Sequence, residues 1–374
     1  MKLKICAIVG TRPEVIKLSE VLKTLDKFTD LILVHTGQHY DYELNGVFFA
    51  ELGVRKPDFF LECASSNGRV ISTIANILEK TDMLLESVKP ECVLIYGDCN
   101  SSLAVYAAKR RHIPIFHMEA GNRCFDARVP EEINRKMIDH LSDVNMTISE
   151  HARKYLLNEG CDPNFVFKVG SCMNQVLFQN MENIKSSKIL ENLYLEPKKY
   201  YLVSMHREEN IDDISNLNSF SEMLFSLAKN SKVVVSTHPK TKSRLMGIEG
   251  FKEKLNKSPN ILLEKPFGFF DYMFLQKNAL CVISDSGTIF EESDLFSFPA
   301  VSIRNSFERP EGLDSGVLSV VSWDKDLISN AIRCAISLSS KEFVKDYHVE
   351  SVDVKVLNII FSMVHQVNSK IYYK

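Results

Sequence analysis

The chain has 374 residues, 45% of them hydrophobic and 25% charged, with 48 acidic side chains against 45 basic ones and a net charge of −3. That length supports two α/β-sized domains and excludes a single small binding module. The charge balance argues against nucleic-acid binding, where neutralising phosphate dominates affinity, so an anionic ligand has to be met by local Arg and Lys clusters. The first apolar run leads into GTRPE where a signal-peptide cleavage site would be needed, and no stretch approaches the ~18 to 20 uninterrupted apolar residues of a membrane span. A cytoplasmic protein with no membrane or nucleic-acid partner is expected. Nine scattered cysteines with no C-x-x-C pair point away from a disulfide framework and from a zinc site.

Short β-rich runs at residues 3–9, 31–36, 92–96, 114–118, 144–148 and 165–169 alternate with helical patterns. This alternation predicts a parallel sheet of right-handed βαβ units, whose ligands sit at the C-terminal ends of the strands. The polar, lysine-rich stretch 183–200 reads as an inter-domain connection. A second series of strand candidates follows, at 201–205, 233–237, 261–263, 280–284, 300–303 and 317–321. The expected fold is α/β, two Rossmann-like doubly wound domains facing a cleft. The expected divisions are 1–172, 173–355 and a C-terminal helix, 356–374, packing back on the first domain.

The residues just after each strand carry the chemistry. Gly10-Thr11-Arg12-Pro13-Glu14 turns the first strand into a helix, and the N–H groups there favour an anion to which Arg12 and Lys17 add charge. An ordinary strand-turn-helix with solvated charges fits that motif equally well. Asp98, after the strand at 92–96, reads as a helix N-cap or a site residue. Glu119 takes the equivalent place after 114–118. Farther on, Glu131 and Arg135 lie four apart, as do Glu132 and Lys136, a spacing that surface ion pairs also explain. Three carboxylates near one sheet edge raise one another's pKa and become candidates for proton transfer.

In the second half, His206 follows the first strand and His238 follows the next, the latter a weaker candidate of the same kind. Ser284-Asp285-Ser286-Gly287-Thr288, then Glu291-Glu292, sets small residues before a helix, as in sites that take a phosphate, with a carboxylate placed for ribose hydroxyls. An N-capped helix is the plainer reading. Phe307-Glu308-Arg309-Pro310-Glu311-Gly312 is a charged loop on the same side.

GTRPEVIK, GD, HMEAG, PEEINR, HRE, SDSG with EE, and ERPE occur in an order and spacing that resembles the non-hydrolysing UDP-N-acetylglucosamine 2-epimerase family over roughly residues 1 to 370. The resemblance implies two GT-B-like Rossmann domains, a UDP-sugar in the cleft, a homodimer, and neither metal nor nicotinamide cofactor. It implies loss of the C2 proton as UDP leaves C1, then re-addition after protonation on the opposite face. Carried over motif by motif, Asp98, Glu119 and Glu131 exchange the protons and His206 stabilises the departing pyrophosphate. Arg12, Lys17 and Arg135 hold phosphate or sugar; Ser286, Gly287 and Glu292 hold phosphate and ribose.

The stretch HMEAGNRCFDARVPEEINR departs from the best-known branch, which has HVEAGLRTGD and a longer loop with a Trp; here stand Asn122, Cys124, Phe125 and Val129. This version resembles the subgroup that converts UDP-2-acetamido-2,6-dideoxy-L-talose to UDP-N-acetyl-L-fucosamine for capsule or O-antigen assembly. Gln38-His39-Tyr40-Asp41 also departs, in a region tied to allosteric activation by substrate. A UDP-N-acetylglucosamine/UDP-N-acetylmannosamine epimerase, a GT-B glycosyltransferase, a hydrolysing relative and a non-catalytic nucleotide-sugar sensor are the alternatives. Cys99 and Cys124, beside proposed site residues, are candidates for reactive thiols.

Overall fold

A computed structural model describes residues 2–38, 48–338 and 342–374. The chain divides into two compact units, Met1–Gln179 with Lys345–Lys374, and Asn180–Val344. Of the Gln38–Asp41 segment only Gln38 lies within the described residues.

In the first unit, strands β1 (Lys4–Val9), β2 (Asp30–His35), β3 (Phe59–Phe60), β4 (Cys92–Tyr96), β5 (Ile115–Met118), β6 (Val144–Thr147) and β7 (Val166–Lys168) form one sheet. Their order is β3-β2-β1-β4-β5-β6-β7, and every pairing among the described residues is parallel. Helices cover both faces, so central strands such as Cys92–Tyr96 are buried at every position, which is why they read as unbroken apolar runs. β3 escaped the sequence reading because it is two residues long and sits at the edge.

The second unit repeats the pattern. β8 (Tyr200–Ser204), β9 (Lys232–Ser236), β10 (Ile261–Glu264), β11 (Cys281–Ser284), β12 (Ala300–Ile303) and β13 (Ser319–Val321) form a parallel sheet in the order β10-β9-β8-β11-β12-β13. Both sheets therefore reverse strand order beside their first strand, between β1 and β4 and between β8 and β11. At such a switch point the crossovers on either side diverge and leave a crevice at the carboxyl ends. GTRPE and GD flank the first of these points, HRE and SDSG the second.

The domain boundaries differ from those expected. Helix Met173–Gln179 belongs to the first unit, with Val176 fully buried, and so does the return from Lys345 onward. Asp346 accepts from the Ser171 N–H at 2.9 Å and pairs with Lys168 at 2.8 Å. The last helix starts at Val352, not 356, and buries Val352, Val356, Ile360, Met363 and Val367, one stripe at helical spacing. It packs on helix Arg12–Phe28, where Thr24 Oγ1 donates to Asp353 at 2.6 Å. The stretch 183–200 is not a bare connection. It contains helix Ile189–Asn192, buries Ile184, Ile189, Leu190 and Leu195, and packs on helix Phe269–Asn278 within the second unit. Its lysines face outward, and they masked the apolar residues between them.

Candidate active site

In the first unit the glycine turn after β1 is forced by a close approach. A Cβ on Gly10 would lie 1.8 Å from Ser101 Oγ and 2.3 Å from Thr36 Oγ1. Helix Arg12–Phe28 begins there, but the N–H groups of the turn at Gly10 and Thr11 are not open as expected. Glu14 turns back so that its Oε2 accepts from Gly10 N at 2.8 Å, Thr11 N at 2.6 Å and Thr11 Oγ1 at 3.0 Å. Its Oε1 accepts from Cys99 Sγ at 2.9 Å. Burial pushes the Glu14 carboxyl up to about 7 against these donors. Arg12 stands over the Phe48 ring, 5.5 Å from its centroid.

Lys17, one turn into the same helix, is buried and directs its Nζ to Glu119 Oε2 at 2.6 Å. Glu119 follows β5 in a left-handed conformation, φ 62°, uncommon for a residue with a Cβ and held only where surroundings impose it. The surroundings are explicit. The Gly121 N–H donates to both oxygens of buried Asp139, which also meets His117 Nδ1 at 2.9 Å and Arg123 Nη1 at 2.6 Å. His117 Nε2 in turn lies 2.9 Å from the Gly97 carbonyl, tying the turn after β5 to the turn after β4. Tyr96 adds its hydroxyl to Glu119 Oε2 at 2.6 Å.

Asp98, in the turn after β4, caps no helix. Its Oδ2 accepts from Arg135 Nε at 2.8 Å, and its carbonyl accepts from Asn134 Nδ2 at 2.9 Å. Arg135 reaches back three residues to Glu132, with Nη1 to Oε2 at 2.6 Å, not four to Glu131. Glu132 also accepts from the N–H groups of Cys124 and Phe125, which staples the loop to helix Pro130–Leu141. Burial opposes its charge, but these donors prevail and hold its carboxyl below the usual range. Glu131 is half-buried in the first turn of that helix. Asp98 and Glu119 thus each face a cation where mutual repulsion among carboxylates was expected. The reactive-thiol expectation fails as well, since burial pushes Cys99 well up and Cys124 up.

In the second unit, Asp285 organises the switch point. It is fully buried after β11 and accepts from His206 N at 3.0 Å, Arg207 N at 2.9 Å and Asn210 Nδ2 at 3.1 Å, while Oδ1 meets His206 Nδ1 at 3.0 Å. Burial would raise the Asp285 carboxyl, but His206 and these donors hold it down at about 2. The His206 ring is half-exposed, so its orientation is fixed from behind. Ser286 Oγ lies 3.0 Å from Thr288 Oγ1, ahead of helix Ile289–Phe296. Gly287 needs its missing side chain: a Cβ would sit 2.4 Å from Glu308 Oε1, itself paired with Arg304. Glu292 is buried and accepts from Gln276 Nε2 at 2.6 Å; Glu291 pairs with Arg309 at 2.9 Å. His238 is a helix cap, its Nδ1 accepting from Lys240 N at 3.3 Å.

The structure brings Lys17 to Glu119, Arg135 to Asp98, and His206 to the motif of Ser286 and Gly287. Sequence reasoning passed over Tyr96, Glu14 as an acceptor, the Asp139 network and Asp285 as the partner of His206. Position at a strand end was the available signal for Tyr96 and Asp285.

Comparison with known proteins supplies the chemistry. The family model described as UDP-N-acetylglucosamine 2-epimerase matches residues 23–361. The structure of UDP-N-acetylglucosamine 2-epimerase from Rickettsia bellii is 48% identical and superimposes with a TM-score of 0.92, covering 100% of both chains. That of the Methanocaldococcus jannaschii enzyme in complex with UDP-N-acetylglucosamine and UDP is 29% identical, TM-score 0.89, over 96% of this chain and 100% of that one. The UDP-2,3-diacetamido-2,3-dideoxy-D-glucuronate 2-epimerase of Pseudomonas aeruginosa is 33% identical over 89% of this chain and 92% of its own length. With these likenesses spanning both sheets and both switch points, the chain belongs to the UDP-N-acetylglucosamine 2-epimerase family, isomerases that act on UDP-sugars.

Proposed function

We propose that the chain inverts C2 of a UDP-2-acetamido sugar by eliminating UDP and adding it back. The observation that carries this reading is the pair of strand-end carboxylates held by cations, Glu119 by Lys17 and Asp98 by Arg135. In the first step a carboxylate takes the C2 proton, the C–H electron pair becomes the C1–C2 double bond, and the C1–O bond breaks with its electrons going to UDP. A proton then reaches C2 on the other face and UDP returns to C1. Asp98, Glu119 and Glu131 exchange these protons. His206, oriented by Asp285, stabilises charge developing on the pyrophosphate, the kind of preorganised electrostatics that is usually a large catalytic term. Arg12, Lys17 and Arg135 hold phosphate or sugar, and Ser286, Gly287 and Glu292 hold phosphate and ribose.

Within this class the substrate is UDP-2-acetamido-2,6-dideoxy-L-talose, converted to UDP-N-acetyl-L-fucosamine for capsule or O-antigen assembly by a cytoplasmic homodimer. The short loop 122–129, stapled through Glu132 and lacking a Trp, supports this choice. Conversion of UDP-N-acetylglucosamine to UDP-N-acetylmannosamine is the second reading, supported by the name of the 48%-identical Rickettsia bellii protein. Incubation with each nucleotide in heavy water, followed by proton NMR, tests both. Epimerisation with deuterium entering C2 is expected. Turnover without deuterium at C2 refutes the mechanism, and UDP released only with an acceptor sugar present identifies a glycosyltransferase.

A further inference from the structure

The geometry points to Tyr96 as a positioning residue for Glu119 in this reaction, an inference that rests on the proton-transfer role proposed above for Glu119. Tyr96 is the last residue of β4 and stands opposite Met118, the residue before Glu119, in the sheet register. Its side chain is buried, and a buried tyrosine hydroxyl needs a partner. The partner is Glu119 Oε2 at 2.6 Å, within the range of a charge-assisted O–H···O⁻ bond. Lys17 Nζ reaches the same oxygen at 2.6 Å and lies 5.5 Å from the centroid of the Tyr96 ring. Ammonium, phenol and carboxylate therefore form one unit.

Two donors on one oxygen fix both the position and the rotation of the carboxylate. The backbone beneath it is fixed as well: Glu119 keeps its left-handed φ, Ala120 N donates to Met146 O at 3.2 Å, and Gly97 N donates to Met118 O at 2.9 Å. A long, flexible glutamate side chain becomes a group with one orientation, and holding a reacting group near its attack geometry is where much of a proton-transfer rate comes from. The partner of the phenol is the carboxylate, so in this proposal it acts through Glu119.

Tyr96→Phe tests this because it keeps the ring, its packing and the cation over its face while removing only the hydroxyl. The probe is UDP-N-acetylglucosamine or the 6-deoxy-L-talo nucleotide, whichever the wild-type chain turns over, in protiated and C2-deuterated forms. The expected result is a kcat lower by about 10- to 150-fold with KM within about twofold, the rate equivalent of one charge-assisted hydrogen bond. The C2-deuterium isotope effect on kcat rises, because proton abstraction becomes more rate-limiting. The thermal midpoint falls by no more than about 3 to 10 °C, the stability of one such bond, so the isotope effect and not the midpoint carries the reading. A wild-type kcat and isotope effect in Tyr96→Phe, with Glu119→Gln inactive, overturns the positioning role and leaves the reaction standing. A lower rate with an unchanged isotope effect also overturns it, as the mark of a structural residue. Full activity in Glu119→Gln removes the proposed role of Glu119 and this inference together.

Discussion

Asp285→Asn is the most informative single change in the second unit. The carboxylate is fully buried and takes three donors on Oδ2, from His206 N, Arg207 N and Asn210 Nδ2, with the His206 ring on Oδ1. An asparagine can keep its oxygen toward the three donors, but its NH2 then faces His206 Nδ1 and repels a protonated ring. Bonds to a charged acceptor are worth about 1.5 to 3 kcal/mol each and neutral ones about 1, so the loss comes to about 3 kcal/mol. Linkage gives a similar figure. A carboxyl held at about 2 when folded, against 3.8 unperturbed, contributes about 2.5 kcal/mol at 1.36 kcal/mol per pH unit. Because the folded value is depressed, that stability is present above pH 3.8 and is lost as pH falls toward 2. Urea unfolding and thermal melting are the assays, with a drop of about 6 to 10 °C expected at neutral pH. The wild type should also lose stability between pH 4 and 2 by an amount the variant lacks. Turnover falls about 10- to 100-fold as the ring loses its orientation. A variant melting within about 2 °C of the wild type, with parallel acid limbs, refutes the reasoning.

Glu14 gives the opposite pH signature. Its carboxyl sits at about 7 in the fold against 4.5 unperturbed, so the native state binds the extra proton, and stability present below pH 4.5 is lost as pH rises through 7. Glu14→Gln stays neutral throughout, so the stability difference between variant and wild type should change by about 3 kcal/mol between pH 4.5 and 7.5 in urea titrations; a constant difference contradicts the assignment. Gly10→Ala drives a Cβ into Ser101 and Thr36 and should cost about 1 to 3 kcal/mol or more, read as a lower melting temperature. Ser101→Gly in the same chain removes two of its three closest contacts and should recover part of the loss; no recovery argues for another cause.

The architecture was legible because buried parallel strands leave unbroken apolar runs, and because chemistry-bearing residues cluster after strands at a switch point. That rule singled out Asp98, Glu119, His206 and Ser286, and the structure places each of them just after a strand. Partnership was less legible. Arg135 stands four residues from Glu131 and three from Glu132, and helix geometry permits both; Glu132 prevails because it is buried beside the Cys124 and Phe125 N–H groups, a contact between helix and loop that spacing alone does not reveal. Glu14, at the third helical position after Thr11, fits a capping-box pattern, yet its taking of both turn N–H groups became visible only with distances. Phe59–Phe60 was too short to carry an alternation, and the lysines of 183–200 concealed a stretch that packs.

The near-zero net charge acquires a physical meaning from these pairings. Lys17 with Glu119, Arg135 with Asp98 and Glu132, Arg309 with Glu291 and Arg304 with Glu308 place opposite charges together where water is largely excluded. Removing one member strands the other at several kcal/mol. An anion that recruits Lys17 or Arg135 must compete with a carboxylate already in place, and it weakens the hold of that cation on Glu119 or Asp98. Under the proposed function, a phosphate-bearing ligand and the strand-end carboxylates therefore contend for the same two cations, Lys17 and Arg135.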